Sequence, residues 1–334
     1  VEIILPKEKL HDRRVKNWYI SNLPVAHFPA ILGNLLYIPY LFRAFNRSNF
    51  KIIRIHQPQY VGIAAIIFKL FHKKTKLVTT IHQYKETGFW PFTKIYNNYW
   101  DHIFCDSQNV KNQITKNLKI NKEKITVVNN GVPKYLKPEK KSKRVLEELK
   151  IKNKFVLLYM GFFIERKNPL FLIEVLNNLA KTNKDIVLIY WGRGPLKDEI
   201  LKKAEGMNLG KNIRFIEPKF NEEKTRFHNI ADVFVHPSLD EGFALAPLEA
   251  MACAKPLIMN KSHSASEAVD DGVNGFLCDI NSIQSWTDKI SILIKNKKIL
   301  NKMSKNSYNK AKKEFSWDES VRKHIQVFKS LSQK

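Results

Sequence analysis

Residues 236–254 read HPSLDEGFALAPLEAMACA and follow a short apolar run, 233–236. Proline, serine and glycine punctuate the first half of this stretch and indicate a loop, whereas small and apolar residues dominate 248–253 and favour a buried helix. Pro247 stands at the expected first position of that helix, which is a favoured place for proline. The stretch therefore predicts a strand, a loop and a helix in succession, which is the repeating unit of a parallel α/β sheet.

The same alternation of short apolar runs and longer helical patterns extends in both directions along the chain. The runs are rich in β-branched and aromatic residues, which favours strands, and strands that alternate with helices favour parallel sheets covered on both faces. The predicted strands are 51–56, 76–82, 102–106 and 125–129 in a first series and 155–160, 185–190, 213–216, 233–236, 256–259 and 275–277 in a second. The predicted helices of the second series are 169–181, 196–205, 222–229, 248–253 and 285–295.

A segment rich in lysine, glutamate and proline, 133–154, separates the two series and is typical of a linker with a short helix. We therefore predict an α/β fold with two doubly wound, Rossmann-like parallel-sheet domains that face a cleft. The chain starts at Val1 in strand-like sequence rather than at methionine, so we expect the N-terminal domain to be incomplete at its start. The predicted limits are 1–135 for the N-terminal domain, 136–154 for the linker, 155–314 for the C-terminal domain and 315–334 for a last helix.

The charge balance is strongly basic: 57 Lys and Arg residues oppose 31 Asp and Glu residues, for a net charge of +26. Only 11 of the basic residues are arginine, and arginine dominates specific base readout. Such a surface attracts polyanions through general electrostatics, and no recognition motif predicts specific nucleic-acid binding. Compositional drift toward lysine explains the excess equally well.

The three cysteines, Cys105, Cys253 and Cys278, are far apart and form no CxxC or Cys/His cluster. This spacing argues against a disulfide framework and against a zinc site. Because the cysteines are expected to be reduced and no secretory signal opens the sequence, we predict a cytoplasmic protein.

Residues 17–42 carry no formal charge and are long enough to span a bilayer, but they contain three prolines. A buried or interfacial helix over about 29–45 fits this composition better. Lys69, Lys73, Lys74 and Lys76 follow in the next helical pattern, and apolar and basic surface together suits an anionic membrane. We expect peripheral contact with the inner face of the cell membrane, against the alternative of an ordinary core helix beside a solvated basic one.

Two carboxylates stand in the stretch 236–254: Glu241 lies in the predicted loop and Glu249 in the first turn of the predicted helix. The backbone amides of Phe243, Ala244 and Leu245 lie at or just before the helix N-terminus, where N–H groups and the helix dipole bind phosphate oxygens. Glu249 can accept a bidentate contact from a ribose diol, and Glu241 can reach another part of the same ligand. The alternatives are a helix-dipole contact for Glu249 and a solvated loop charge for Glu241.

This arrangement resembles the E-x7-E signature of retaining glycosyltransferases with the GT-B fold, in particular the large family 4 group that uses nucleotide-diphosphate sugars. The resemblance covers nearly the whole chain and is strongest over 125–254. It implies that Glu241 is a catalytic residue that contacts the donor sugar and that Glu249 binds the ribose. It also implies that Gly242 and the amides of residues 243–245 hold the sugar and the diphosphate.

The segment after the first strand of the second series carries the same resemblance. Gly161 and the segment 165–168 resemble the family's G-R-x4-K loop, with Gly161 at the glycine position and Lys167 at the lysine position. The resemblance implies that Gly161, Arg166 and Lys167 bind the diphosphate. Lys167 falls on the family's diphosphate-binding lysine, where it can neutralise charge on the departing group. The alternative is a solvated lysine in a basic protein.

Further matches lie outside the donor loops. The segment 79–82 resembles the family's T-x-H, which implies that His82 is a second catalytic residue facing the transferred sugar; the alternative is a structural histidine at a strand end. The turn 191–195 resembles the family's G-x-G-P, and 130–132 resembles the N-G-V before its linker. The last helix, 315–334, resembles the family's final segment, which crosses back to the N-terminal domain.

Several positions depart from the family pattern. Phe162 occupies the usual arginine position, so one cation for the diphosphate is absent. Ala244 and Ala254 replace common glycines, and their methyl groups are tolerable only if φ stays negative. Residues 262–267 replace a glycine-rich loop, of which Glu267 alone keeps its place.

The resemblance implies a retaining, metal-independent hexosyltransferase that moves a hexose from a nucleotide-diphosphate sugar to a hydroxyl acceptor, either lipid-linked or part of a cell-envelope glycan. No cofactor and no metal are expected, and no Asp-x-Asp motif occurs in the chain. The departures leave a second class open, a non-catalytic nucleotide-sugar or glycan-binding protein on the same scaffold. Motifs of serine hydrolases, zinc proteases and P-loop NTPases are absent from the sequence.

Overall fold

The predicted alternation of strands and helices is present in the computed structural model, which describes residues 2–5, 16–19, 37–56, 58–83, 98–218, 222–262 and 264–333. Every strand predicted from 51 onward is found, with limits shifted by at most two residues. The chain divides into two units. Unit 1 comprises Val1–Asp106, Val110–Val128 and His324–Lys334, and unit 2 comprises Ser107–Asn109 and Asn129–Lys323.

The elements described up to residue 128 are β1 (Glu2–Leu5), β2 (Lys16–Tyr19), α1 (Ile38–Ser48), β3 (Ile52–His56), α2 (Pro58–Phe71), β4 (Lys76–Ile81), β5 (His102–Cys105), α3 (Gln108–Leu118) and β6 (Ile125–Val127). Strands β3, β4, β5 and β6 form a parallel sheet in that order, and β1 and β2 form a separate parallel pair. Phe68 of α2 packs in one buried cluster with Leu77 of β4 and Ile103 of β5. The core of unit 1 therefore lies between this sheet and its helices.

The predicted helix over about 29–45 is described only from Ile38 onward, as α1, and residues 20–36 lie outside the described residues. Within the described ranges, no helix is long and apolar enough to cross a membrane.

The four lysines assigned to the next helix are distributed differently from the prediction. Lys69 lies on α2, Lys73 and Lys74 lie in the turn after it, and Lys76 begins β4. The helix ends at Phe71 because the buried strand β4 begins directly after the turn.

Unit 2 and the C-terminal segment contain α4 (Lys143–Glu148), β7 (Phe155–Met160), α5 (Phe171–Thr182), β8 (Ile186–Trp191), α6 (Lys197–Gly206), β9 (Ile213–Ile216), α7 (Glu222–Ile230), β10 (Val233–His236), α8 (Leu245–Ala252), β11 (Leu257–Asn260), α9 (Ala265–Ala268), β12 (Gly275–Cys278), α10 (Ile283–Lys295), α11 (Lys297–Glu314) and α12 (Trp317–Gln333). The six strands are parallel in the order β12-β11-β10-β7-β8-β9. Chain order reverses between β7 and β10, so the sheet of unit 2 is doubly wound.

Strand β7 shows why the strands of this sheet are continuous apolar runs. Val156 and Leu158 belong to a buried cluster on one face, and Leu157 and Tyr159 belong to a second cluster. Successive side chains of a strand point to opposite faces, and helices cover both faces of a parallel sheet. Residues 156–160 are therefore all buried, and Phe155, at the start of the strand, is partly buried.

The segment that the sequence sets apart as a linker packs with unit 2. Leu136, Val145 of α4 and Ile151 are buried in the same cluster as Val156. The last helix, α12, extends from unit 2 into residues assigned to unit 1, where Phe328 packs against a buried cluster that includes Phe104.

Candidate active site

The reversal of strand order in unit 2 places two loops side by side at the carboxyl ends of β7 and β10. Such a reversal is where open α/β sheets bind their ligands. The backbone N–H of Leu239, after β10, donates to the carbonyl of Arg166, after β7, at 2.9 Å. Ser238 Oγ lies 3.1 Å from the same carbonyl oxygen and 2.8 Å from Glu241 Oε1, so its single proton is shared between the two acceptors. These contacts fix the β10 loop against the β7 loop.

Glu241 stands at the centre of the charges on these loops. Its carboxylate forms an ion pair with Lys167 and accepts hydrogen bonds from Arg166 Nη1 at 3.2 Å and from Ser238 Oγ at 2.8 Å. The side chains of Glu241 and Lys167 are only 10% and 15% exposed, so water screens their attraction weakly. The structure thus brings together three residues singled out from the sequence: Arg166, Lys167 and Glu241.

His236, the last residue of β10, is the second neighbour that controls the charge of Glu241. Its Nε2 lies 3.5 Å from Glu241 Oε1, which is longer than a good hydrogen bond, so Lys167 makes the closer contact. Burial lowers the pKa of His236 and keeps the imidazole neutral. Burial alone would raise the pKa of Glu241, but His236 and Lys167 outweigh it and hold this pKa well below its ordinary range. Glu241 is therefore an ionised carboxylate.

Glu249, on α8, lies in a second charged group together with Lys224 and His228 of α7. Lys224 Nζ is 2.5 Å from Glu249 Oε2 in an ion pair, and it lies 5.4 Å from the centre of the Trp191 ring. His228 is fully buried, with Nε2 3.8 Å from the same carboxylate oxygen. Burial would raise the pKa of Glu249, yet His228 and Lys224 outweigh it and lower this pKa. A second ionised carboxylate is thus held largely out of solvent.

Helix α8 begins at Leu245, two residues before Pro247, the predicted first position. Pro247 is therefore its third residue, which is possible because the N–H groups of a first turn have no partner within the helix. Ala244 precedes the helix and offers no side-chain cap, so the amides of 243–245 lie at an uncapped N-terminus. Glu249 lies in the second turn instead of the first, one turn further from the N-terminus than the helix-dipole explanation requires.

The residues between the two carboxylates border a small pocket. It is lined by Phe243 and Ala244 together with His236, Glu241 and Asn260. Phe243 also packs against the core of unit 2, while Leu245 is 49% exposed. The pocket leaves open space directly beside the Glu241 carboxylate.

The two alanines that replace family glycines differ in backbone conformation. Ala244 has φ −78°, so its methyl group is accommodated. Ala254 has φ +58°, in the left-handed region, so the condition of a negative φ is not met there. Its N–H donates to Met251 O at 2.9 Å and the next N–H, of Lys255, donates to Ala250 O at 2.9 Å. This is the Schellman motif, which places Ala254 where helices prefer glycine.

The β7 loop that carries Gly161 is supported by the turn after β8. The N–H of Gly161 donates to Trp191 O at 3.1 Å. A Cβ atom on Gly192 would lie 1.9 Å from Gly161 O, so only glycine fits there. Phe162, which stands at the family's arginine position, is 57% exposed and supplies no cation.

His82 lies in unit 1, where it follows β4, and Asp106 follows the neighbouring strand β5. His82 Nδ1 is 2.5 Å from Asp106 Oδ2, and the His56 ring stacks 6.3 Å away. The Asp106 side chain is 8% exposed and that of His82 is 33%. Because the carboxylate accepts the Nδ1 proton, Asp106 fixes the orientation of the imidazole.

Sequence reasoning did not single out four residues of these groups: Asp106, Ser238, Lys224 and His228. Lys224 and His228 are four residues apart, which places them on one face of a helix and is the signal that could have paired them. Nothing in the sequence shows that this face meets Glu249. Among the residues that the structure describes, no three His, Cys, Asp or Glu side chains come together as a metal site.

Known structures of similar fold define the class. A crystal structure of Anabaena HepE with UDP aligns at a TM-score of 0.78 and 20% identity, covering 96% of this chain and 86% of that one. A Rickettsia africae glycosyltransferase aligns at 0.80 and 19% identity, covering 96% and 86%. The fold is that of the GT-B glycosyltransferases.

The sequence profile described as Glycosyl transferases group 1 matches residues 138–310, just over half of the chain. The profile described as Glycosyltransferase Family 4 matches residues 1–134. The chain belongs to the Glycosyl transferases group 1 family, and the resemblance predicted from the E-x7-E spacing is confirmed at this level.

Two relatives show how far the similarity extends. An uncharacterized glycosyltransferase of Methanocaldococcus jannaschii is 31% identical over 235 residues, which cover 70% of this chain and 60% of the relative. The UDP-Gal:alpha-D-GlcNAc-diphosphoundecaprenol alpha-1,3-galactosyltransferase of Escherichia coli is 28% identical over 290 residues, which cover 81% of this chain and 73% of the relative. The chain therefore spans less than two thirds of the archaeal relative.

Proposed function

We propose that this chain is a retaining, metal-independent hexosyltransferase that uses a nucleotide-diphosphate sugar. The observation that carries the proposal is the largely buried ion pair of Glu241 with Lys167, with the more exposed Arg166 beside it, at the reversal of strand order in unit 2. A carboxylate, two cations and uncapped helix amides converge where this fold binds ligands.

The roles of the residues follow from the charge that develops during transfer. As the glycosidic bond breaks, the sugar gains positive character and the diphosphate gains negative charge. Lys167 and Arg166 stabilise the departing diphosphate, since fixed cations out of water act strongly on developing charge. Gly161 and Gly242 let the backbone approach the donor closely, and the amides of residues 243–245 bind its oxygens.

Two carboxylates complete the donor site of unit 2, and one histidine of unit 1 is assigned a role in transfer. Glu241 contacts the donor sugar, and its ionised state suits it to stabilise the cationic character of the transferred carbon. Glu249 accepts hydrogen bonds from the ribose hydroxyls. His82 faces the transferred sugar as the second catalytic residue, oriented by Asp106.

The donor is proposed to be a uridine diphosphate hexose. Support comes from the Anabaena HepE structures with UDP and with UDP-glucose and from the Escherichia coli relative, whose name specifies UDP-Gal. That relative also acts on a diphosphoundecaprenol-linked sugar, which supports a hydroxyl acceptor on a lipid-linked or cell-envelope glycan.

A lipid-linked acceptor lies in a membrane, so the enzyme must act at the membrane surface. We propose that the protein makes peripheral contact with the anionic inner face of the cell membrane. Leu70 and Phe71, at the end of α2, are 53% and 72% exposed, and exposed Lys73 and Lys74 follow. Apolar side chains flanked by cations suit an anionic surface. Co-sedimentation with phosphatidylglycerol vesicles should rise as salt is removed and fall in Phe71→Ser, but not in the exposed control Val273→Ser. Binding that salt does not change would contradict the proposal.

The donor site is tested by thermal shifts with UDP, GDP and ADP. A ligand at about 100-fold over its Kd adds roughly 2.7 kcal/mol to the state that binds it. We expect UDP to stabilise the transition of unit 2 and Glu249→Ala to abolish this effect. Glu174→Ala is the matched control, because Glu174 also pairs with a lysine from a helix, 2.5 Å away, but lies outside the site. No shift with any nucleotide would refute the donor site.

The exposed Phe162, at the place of a family cation, favours one other function, a nucleotide-sugar or glycan-binding protein without transferase activity. A transferase turns over its donor and releases UDP, whereas a binding protein does not. Release of UDP from UDP-glucose or UDP-galactose, dependent on Lys167 and Glu241, would establish the enzyme, whereas tight UDP binding without any release would establish the binding protein.

A further inference from the structure

The imidazole of His228 is a buried polar group that has no role in the proposed mechanism. Its side chain is fully buried, and neither ring nitrogen has a hydrogen-bond partner in the described part of the chain. Buried polar groups are normally hydrogen-bonded, so an unpaired imidazole calls for an explanation. Its polar neighbour is Glu249, whose Oε2 lies 3.8 Å from Nε2.

The helix face that carries His228 is directed at this carboxylate. Lys224, one turn earlier on α7, places its ammonium group 2.5 Å from the same oxygen. Lys224 holds Oε2 in an ion pair, and a carboxylate oxygen has a second lone pair that can accept a further hydrogen bond. The unpaired Nε2 of His228 lies 3.8 Å from that oxygen, which is about 1 Å beyond hydrogen-bond distance.

We propose that His228 is a positioning residue for Glu249. When the ribose of a nucleotide occupies the carboxylate, the Nε2–H of His228 donates to Oε2 and holds the group in the orientation that accepts both ribose hydroxyls. A small rotation of the Glu249 side chain closes the gap to about 2.9 Å. This inference rests on the proposed nucleotide site and adds a residue to it.

The charges around Glu249 are consistent with a neutral donor at this position. Burial lowers the pKa of His228 and keeps the imidazole neutral, so it can donate one proton without adding charge. The charged groups that act on His228 are Glu249, Lys224 on α7 and Lys255 after α8, and those that act on Glu249 are Lys224 and His228. Burial and the charge of Glu249 raise the pKa of Tyr135, before α4, and of Cys253, after α8, so both of these groups are neutral.

Binding of UDP is measured by calorimetry between pH 4.5 and 8 for the wild type, His228→Leu, His228→Asn and His228→Gln. The leucine variant removes the donor, and the asparagine amide is too short to replace Nε2–H, whereas the glutamine amide reaches further. We expect about tenfold weaker binding or more in His228→Leu and His228→Asn and partial rescue in His228→Gln, because hydrogen bonds to charged groups are strong.

The pH profile separates positioning from a merely structural role. Without the donor, the pKa of Glu249 rises, so the loss of UDP binding in acid should move to higher pH in His228→Leu. Phe227→Leu, a neighbouring core change on α7, should lower the melting temperature without moving this profile. A 2′,3′-dideoxy form of UDP should bind weakly, and with a similar Kd, to the wild type and to His228→Leu. It has no ribose hydroxyl that could donate a hydrogen bond to the Glu249 carboxylate.

Three results decide the matter. The inference is confirmed if His228→Leu or His228→Asn weakens UDP binding, shifts the profile and is rescued by His228→Gln. It is refuted alone if the wild type binds UDP normally and the folded variants bind it equally well with the same profile. If the wild type binds no nucleotide, the proposed function fails first and this inference fails with it.

Discussion

Replacement of Ala254 by glycine should stabilise unit 2, because Ala254 holds a backbone conformation that suits glycine. Its φ is +58°, and the two hydrogen bonds of the Schellman motif fix it at the end of α8. This helix carries Glu249 and presents the amides of the proposed donor site, so the strain lies within the functional unit.

The size of the effect follows from three opposing contributions. A left-handed conformation costs a residue with a Cβ atom about 1–2 kcal/mol. Glycine gives back about 0.4–1 kcal/mol through the greater freedom of the unfolded chain. Loss of a half-buried methyl group subtracts a few tenths more, on the order of half of the 0.8 kcal/mol of a fully buried one. The expected net gain is about 0.5 kcal/mol, or roughly 1–2 °C in melting temperature for a unit of this size.

Differential scanning calorimetry is the suitable assay, with the transition of unit 2 identified as the one that UDP raises. Ala180→Gly is the matched control, since Ala180 is also half-buried but lies inside α5 with ordinary helical geometry. Glycine there should cost about 0.5–1 kcal/mol. If Ala254→Gly lowers the transition as much as Ala180→Gly does, backbone strain at Ala254 is not the controlling factor and the reasoning fails.

Three further results are expected. Gly192→Ala should cost at least about 2 kcal/mol in urea unfolding, because its Cβ would meet a backbone carbonyl at 1.9 Å, whereas Gly206→Ala, with nothing within 4 Å, should cost nothing. Because burial lowers the pKa of His236 from 6.5, the folded unit binds fewer protons than the unfolded chain; stability should therefore fall as pH drops below about 6.5, and His236→Phe should show a shallower fall in urea midpoints. Lys167→Met should weaken UDP binding more than Arg166→Met, measured by calorimetry, because Lys167 is 15% exposed and Arg166 is 40% exposed; equal losses would contradict this ranking.

Most of the strands could be predicted because burial on two faces requires an uninterrupted apolar run in the sequence, although β3 alternates between buried and exposed residues. Residues 155–160 illustrate this, since neighbours along β7 belong to two different buried clusters. The start of α8 could not be predicted in the same way. Pro247 suggested a first helical position, but a third position is equally open to proline because the whole first turn lacks partners.

The partners of the two carboxylates depend on contacts between segments that are distant in the sequence, and such contacts are only partly predictable. Glu241 and Lys167 could be placed on one ligand because both follow strands that meet at the reversal of strand order. Lys224 and His228 do not follow a strand; they lie on α7, which precedes β10. Only the packing of α7 beside α8 directs their shared face toward Glu249.

The net charge of +26 likewise does not identify the ligand site from the sequence. Taken as a whole it points only to polyanions in general, because dispersed surface lysines act through a screened field. The two carboxylates of the candidate site are instead governed by a few close partners, His236 and Lys167 for Glu241 and His228 and Lys224 for Glu249, at distances where screening is weak. A change of one of these lysines should therefore alter the site more than the removal of several exposed ones, since local geometry rather than total charge sets the state of each carboxylate.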